Sequence, residues 1–172
     1  FESIRRLAML NLSLVKNVLI AAAVLLPACF PNAHQYQSGA LQIAHPWSQQ
    51  LPPNAPTVAA YFVIQNTGNS ADRLVSVDTP IADKAELHQH VMQGDLMKMQ
   101  PVASVEVPPG GTVTFAPMAY HVMLVGLKDR SLLQDGKHFP LTLNFEKAVA
   151  MQVDVNVQKQ PTAASMEHQH AH

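Results

Sequence analysis

From residue 41 onward the chain alternates apolar and polar positions in short runs. Leu41, Ile43 and His45 alternate as far as Pro46. Residues 58–64, Val-Ala-Ala-Tyr-Phe-Val-Ile, form a run of β-formers that stops at Asn66-Thr-Gly-Asn-Ser70, a loop composition. Leu74–Val77 and Ala85–His90 follow, and Gly94-Asp95 predicts a turn before Leu96-Met-Lys-Met-Gln100. Val105–Val107 runs into the turn Pro108-Pro-Gly-Gly111, Thr112–Phe115 resumes, and Tyr120–Val125 is a further apolar run. Leu141, Leu143 and Phe145 alternate with Thr142 and Asn144, and Val153, Val155 and Val157 with Asp154 and Asn156. Successive side chains on a strand leave opposite faces, so a period of two marks strands with one face in a core. With turn signals about every 8–12 residues, the pattern predicts an all-β antiparallel sandwich or barrel. No stretch after residue 33 carries helical periodicity, and no internal repeat is present.

The two ends break this pattern. Lys16 precedes an apolar run, Val18–Leu26, that has the length of a secretory-signal core and is too short to span a bilayer comfortably. Two processing points fit. Ala33 is a small residue suited to cleavage before His34, and Leu26-Pro-Ala-Cys29 resembles a lipoprotein box with an unusual proline, which would anchor the protein through Cys29. At the other end, residues 159–172 lose apolar periodicity and read as a flexible tail. The expected organisation is thus an export signal over 1–33, a folded domain over 34–158 and a Met/His-rich tail over 159–172.

Composition narrows the function classes. The chain is 48% apolar and 13% charged, enough for a packed core. Its formal charge is −1, but residues 34–172 hold eight basic and eleven acidic residues and no Lys/Arg cluster. That argues against nucleic acid or an anionic lipid surface as partner, and a monomer is expected. Cys29 is the one cysteine, so the folded body carries no thiol, which suits an oxidising compartment such as the periplasm.

Four side chains carry the candidate chemistry: His88, Met99, His121 and Met123. Thioether sulfur bonds poorly to hard cations and suits Cu(I), whereas imidazole accepts Cu(I), Cu(II) and Zn(II). Two His and two Met without a cysteine point to copper, cuprous first. His121 and Met123 are two apart and leave one face of a strand, while His88 and Met99 flank a hairpin-like turn that can set them side by side. Each methionine taken alone is more often a core filler than a ligand. Met166, His168, His170 and His172 fall at alternate positions of the tail and form a second candidate metal site, of the kind that favours Cu(II).

The spacing carries a resemblance. His88, ten residues, Met99, twenty-one residues, then His121-x-Met123 resembles the signature of the periplasmic PCu(A)C copper chaperones (the DUF461 type). His45-Pro-Trp47, Tyr61–Gly68, Pro108–Thr112, His121–Leu127 and Pro140–Glu146 are similar too, so the resemblance spans about residues 40–158. It implies a cupredoxin-like Greek-key sandwich that binds Cu(I) through His88, Met99, His121 and Met123. It also implies delivery to the CuA centre of cytochrome c oxidase, directly or through a thiol-containing carrier. The chain departs from the family at His90, where a methionine is common; His90 is either an auxiliary ligand or a solvated residue. Met92 and Met97 are expected to pack or to make edge contacts.

Other classes are open on fewer residues. A blue-copper electron carrier needs a cysteine ligand that the body lacks. A copper-dependent oxygenase would use His34 as an N-terminal chelate, and a general copper storage or resistance protein would use the same ligands as a chaperone. No Ser-His-Asp set, phosphate loop or paired carboxylates are present, so no catalysis is expected.

Overall fold

The computed structural model describes residues 35–159. The expectations for residues 1–33, Cys29, His34 and the tail ligands Met166, His168, His170 and His172 fall outside the described residues.

Eleven strands account for most of the described chain: β1 Gln35–Ser38, β2 Leu41–Gln49, β3 Thr57–Asn66, β4 Asp72–Asp78, β5 Ala82–Gln93, β6 Leu96–Pro101, β7 Val105–Val107, β8 Thr112–Thr114, β9 His121–Leu127, β10 His138–Phe145 and β11 Met151–Gln158. The helical content among the described residues is one 3-10 turn, Arg130–Leu133, capped by the Asp129 carboxylate accepting from the Ser131 amide. The strands run in the order β1-β2-β11-β10-β4-β5-β9-β3-β8, and a further β2–β3 pairing closes seven of them into a ring. The ring is thinnest between β4 and β5, which share the single pair Val77 and Ala85. The result is a β-sandwich joined at its edges, as the alternation predicted.

Two features depart from the local pattern. β2 continues through Pro46 because the strand bulges between Ala44 and Trp47, with His45 at a φ of 51°. A bulge removes the ladder hydrogen bond that proline could not make. β11 pairs with β2 in parallel, Asn156 beside Trp47, whereas the other pairings between the eleven strands are antiparallel. These strands are joined by no hairpin, so no local turn dictates their direction.

The core lies between the inward faces. Phe62 and Phe115 stack with centroids 4.4 Å apart, and Ile43, Ile64, Leu74, Val122, Leu124, Phe139, Leu141 and Val155 are fully buried around them. Leu87 of β5 and Val122 and Leu124 of β9 point into this core, which sends the residues between them to the opposite face.

Candidate metal centre

That opposite face is where the chemistry collects. β5 and β9 pair with Glu86 beside Met123, Leu87 beside Val122 and His88 beside His121. Leu87 and Val122 are core residues, so Glu86, His88, His121 and Met123 share the outward side. By the same alternation His90 and Met92 of β5 lie there too.

β6 supplies the rest through a tight hairpin. Gly94-Asp95 turns the chain, with Gly94 at a φ of 65°, a conformation glycine adopts without steric cost. The two-residue turn pairs Gln93 with Leu96, and the register that follows sets His90 beside Met99, Met92 beside Met97 and His88 beside Pro101. The expected neighbours His88 and Met99 are therefore not cross-strand partners. Met99 faces His90, two pairs closer to the turn, and reaches His88 only diagonally.

Three imidazoles meet at this point. The His121 ring centroid is 5.4 Å from that of His88 and 5.1 Å from that of His90. His121 is 2% exposed although it sits on the outward face, and His88 and His90 are half-buried. His88 Nε2 lies 2.9 Å from a Glu86 carboxylate oxygen, and His121 Nδ1 lies 3.3 Å from the Ala119 carbonyl oxygen. An imidazole N–H donating at each contact leaves a lone pair on the other nitrogen. Those other atoms, His88 Nδ1 and His121 Nε2, are buried with no hydrogen-bond partner, as is His90 Nδ1. Among the described residues, no other buried side-chain nitrogen or oxygen is recorded without a partner.

The electrostatics keep the His121 lone pair available. Burial pushes His121 below its ordinary value near 6.5; the Ala119 carbonyl opposes this, and the neighbouring His90 and His88 add to it. His121 is thus held neutral, the form that binds a metal. Among the described residues no three His, Cys, Asp or Glu side chains are already closed around a common point. The rings of His88 and His90 each lie beside that of His121 in an open cluster, and a soft ion would draw on thioethers as well.

The methionines differ in placement. Met123 is half-buried beside Glu86, whereas Met99 is 53% exposed at the rim. Met92 and Met97 are cross-strand partners further out on the same hairpin and are both exposed. Glu86 went unremarked in the sequence; its position two residues before His88 on a strand was the available signal.

Comparisons with known proteins agree with this architecture. A profile of the family described as "Putative lipoprotein LpqE-like" matches residues 41–157. The putative lipoprotein Lxx21020 of Leifsonia xyli subsp. xyli is 29% identical over 140 residues, covering 81% of each chain. Among solved structures, the copper-bound PCuAC domain from PmoF2 superposes with a TM-score of 0.64 at 26% identity, over 74% of this chain and 99% of that one. CuI-DR1885 from Deinococcus radiodurans superposes with a TM-score of 0.54 at 28% identity, over 76% of this chain and 84% of the other.

Proposed function

The chain belongs to the LpqE-like family of putative lipoproteins, and on that premise we propose that it is an exported copper chaperone of the periplasm. It holds Cu(I) through His88, His121, Met99 and Met123 and passes the ion on. The observation that carries this reading is the set of buried imidazole nitrogens with no partner. An orphaned buried polar atom costs about 1–3 kcal/mol, a cost that a bound ion removes. Likeness to PCuAC domains, two of them described as copper-bound or CuI forms, supports copper as that ion.

The mechanism follows from depth. His88 and His121 anchor the ion from adjacent strands, with the Glu86 carboxylate and the Ala119 carbonyl fixing their ring orientations. Met123 lies beside them, half-buried, and Met99 closes the outer side from an exposed position. A thioether is neutral and leaves without a proton, so an incoming ligand displaces Met99 first and the imidazoles last. A recipient offering cysteine thiolates then takes the ion by stepwise exchange. The CuA subunit of cytochrome c oxidase, or a thiol-containing carrier upstream of it, has the required chemistry. The protein acts as a carrier rather than a catalyst, with Cys29 as the point of lipid attachment. Met166, His168, His170 and His172 offer a separate Cu(II) site.

Transfer is tested by mixing the Cu(I)-loaded chain with an apo CuA domain in reduced form and following copper in each after separation. Movement of the ion supports the chaperone reading, and retention on the donor at equal concentrations sinks it. Deleting residues 159–172 should remove one Cu(II) equivalent; keeping that equivalent would rule out the tail site.

A further inference from the structure

We propose that His90 turns the same centre into a site for Cu(II) as well as Cu(I). The oxidised ion is held by the imidazoles of His88, His90 and His121, while the cuprous ion keeps Met99 and Met123. This rests on the copper reading above and adds a second oxidation state and a further ligand to it.

Three observations carry it. First, His90 Nδ1 is buried and has no partner, which a solvated surface histidine would not show. Second, its ring lies 5.1 Å from that of His121, slightly nearer than the 5.4 Å between His88 and His121, so His121 has an imidazole beside it from each of two positions of β5, and an ion would draw the three nitrogens, not yet closed around one point, together. Third, His90 and Met99 are cross-strand partners on the outward face. One rung of the β5–β6 ladder therefore offers two donors of opposite character at the same margin of the site, an imidazole nitrogen and a thioether sulfur. Cu(II) favours nitrogen and oxygen ligands, and Cu(I) accepts thioether readily. Each oxidation state thus selects a different member of the His90–Met99 rung, while His88 and His121 serve both. With Met99 set aside, the exposed rim leaves room for water as a further oxygen ligand. Cu(II) also stands above Zn(II) in affinity for such a site, so three imidazoles here favour copper among the common divalent ions.

The test uses the full chain with His168→Ala, His170→Ala and His172→Ala, so that the tail does not compete for Cu(II). His90→Gln and His90→Met are then compared with this parent. Cu(II) is followed by electron paramagnetic resonance and competition titration, and Cu(I) by competition with a chromogenic chelator. The parent should bind one Cu(II) with three nitrogen neighbours. Both His90 variants should lose one nitrogen and on the order of 10- to 100-fold in Cu(II) affinity. Their Cu(I) affinity should stay within about threefold, which also reports that they are folded. Unchanged Cu(II) affinity and spectrum in the variants would overturn the proposal, as would a parent that binds Cu(I) but no Cu(II). A parent that binds neither ion would instead bring down the copper reading on which it rests.

Discussion

Two buried polar groups in this sandwich are treated in opposite ways. At the start of β4 the Asp72 carboxylate, 7% exposed, accepts from the backbone amides of Arg73 at 2.7 Å, Lys147 at 3.0 Å and Ala148 at 2.9 Å. Asn66 is just as complete, donating to Ser70 and Val107 carbonyls and accepting from the Gly68 amide. On the outward face of β5 and β9, three imidazole nitrogens are buried with nothing to bond. The first group ties a loop to a strand and is finished when the chain folds. The second is left incomplete by folding, and what completes it is a ligand. Burial and polarity alone do not separate structure from function here; satisfaction does.

Substitutions should split the two groups cleanly. His121→Leu removes an anchoring nitrogen and places apolar atoms where an orphan stood. Cu(I) affinity should fall by on the order of 100-fold or more, roughly 3 kcal/mol. The copper-free protein should meanwhile be as stable as before, or more so by about 1 kcal/mol, in urea unfolding. A large stability loss without metal would show that His121 is structural. Asp72→Ala should do the reverse, costing about 3 kcal/mol by removing the buried acceptor of three part-buried amide hydrogen bonds, with Cu(I) affinity unaltered.

Smaller changes sharpen the same contrast. Glu86→Gln keeps the shape of the side chain but weakens its hold on His88 Nε2. Copper affinity should drop by about tenfold, the lower end expected for a group that orients a ligand, with no shift in the urea midpoint. Equal affinity would mean that the 2.9 Å contact does not orient the ring. The smallest effect concerns protons. Burial lowers His121 in the folded state, so the unfolded chain binds that proton more readily. Copper-free stability is then complete above about pH 6.5 and declines as pH falls through the lowered native value. His121→Leu should flatten this decline, and a slope unchanged in the variant would remove His121 as its source.

Much of the fold was legible because alternation, turn residues and strand length coincide. β10 and β11 announce themselves by period-two alternation and β3 and β9 by continuous apolar runs, and Gly94-Asp95 placed the hairpin correctly. β1 did not, because Gln35-Tyr-Gln-Ser38 has little apolar content and takes its strand form from pairing with β2. The passage of β2 through Pro46 depends on a bulge, and the parallel β2–β11 contact joins strands far apart in sequence; neither has a local sign. For the centre, the spacing of His88, Met99, His121 and Met123 was legible as donor chemistry. Alternation alone did not show the register, because a shift by two residues keeps every side chain on its face; the two-residue turn at Gly94-Asp95 is what sets Met99 against His90 rather than His88. The burial of His121 on an outward face was equally hidden, since alternation assigns a face and says nothing of what covers it.

The central claim is that imidazoles left unpaired by folding, together with two thioethers, form a copper site. X-ray absorption at the copper edge of the chain loaded with one equivalent of Cu(I) tests this most directly, because it counts sulfur and nitrogen neighbours. Two of each, from Met99, Met123, His88 and His121, is the predicted result. A first shell of nitrogen and oxygen alone, or one unchanged by Met99→Ala and Met123→Ala, would contradict it.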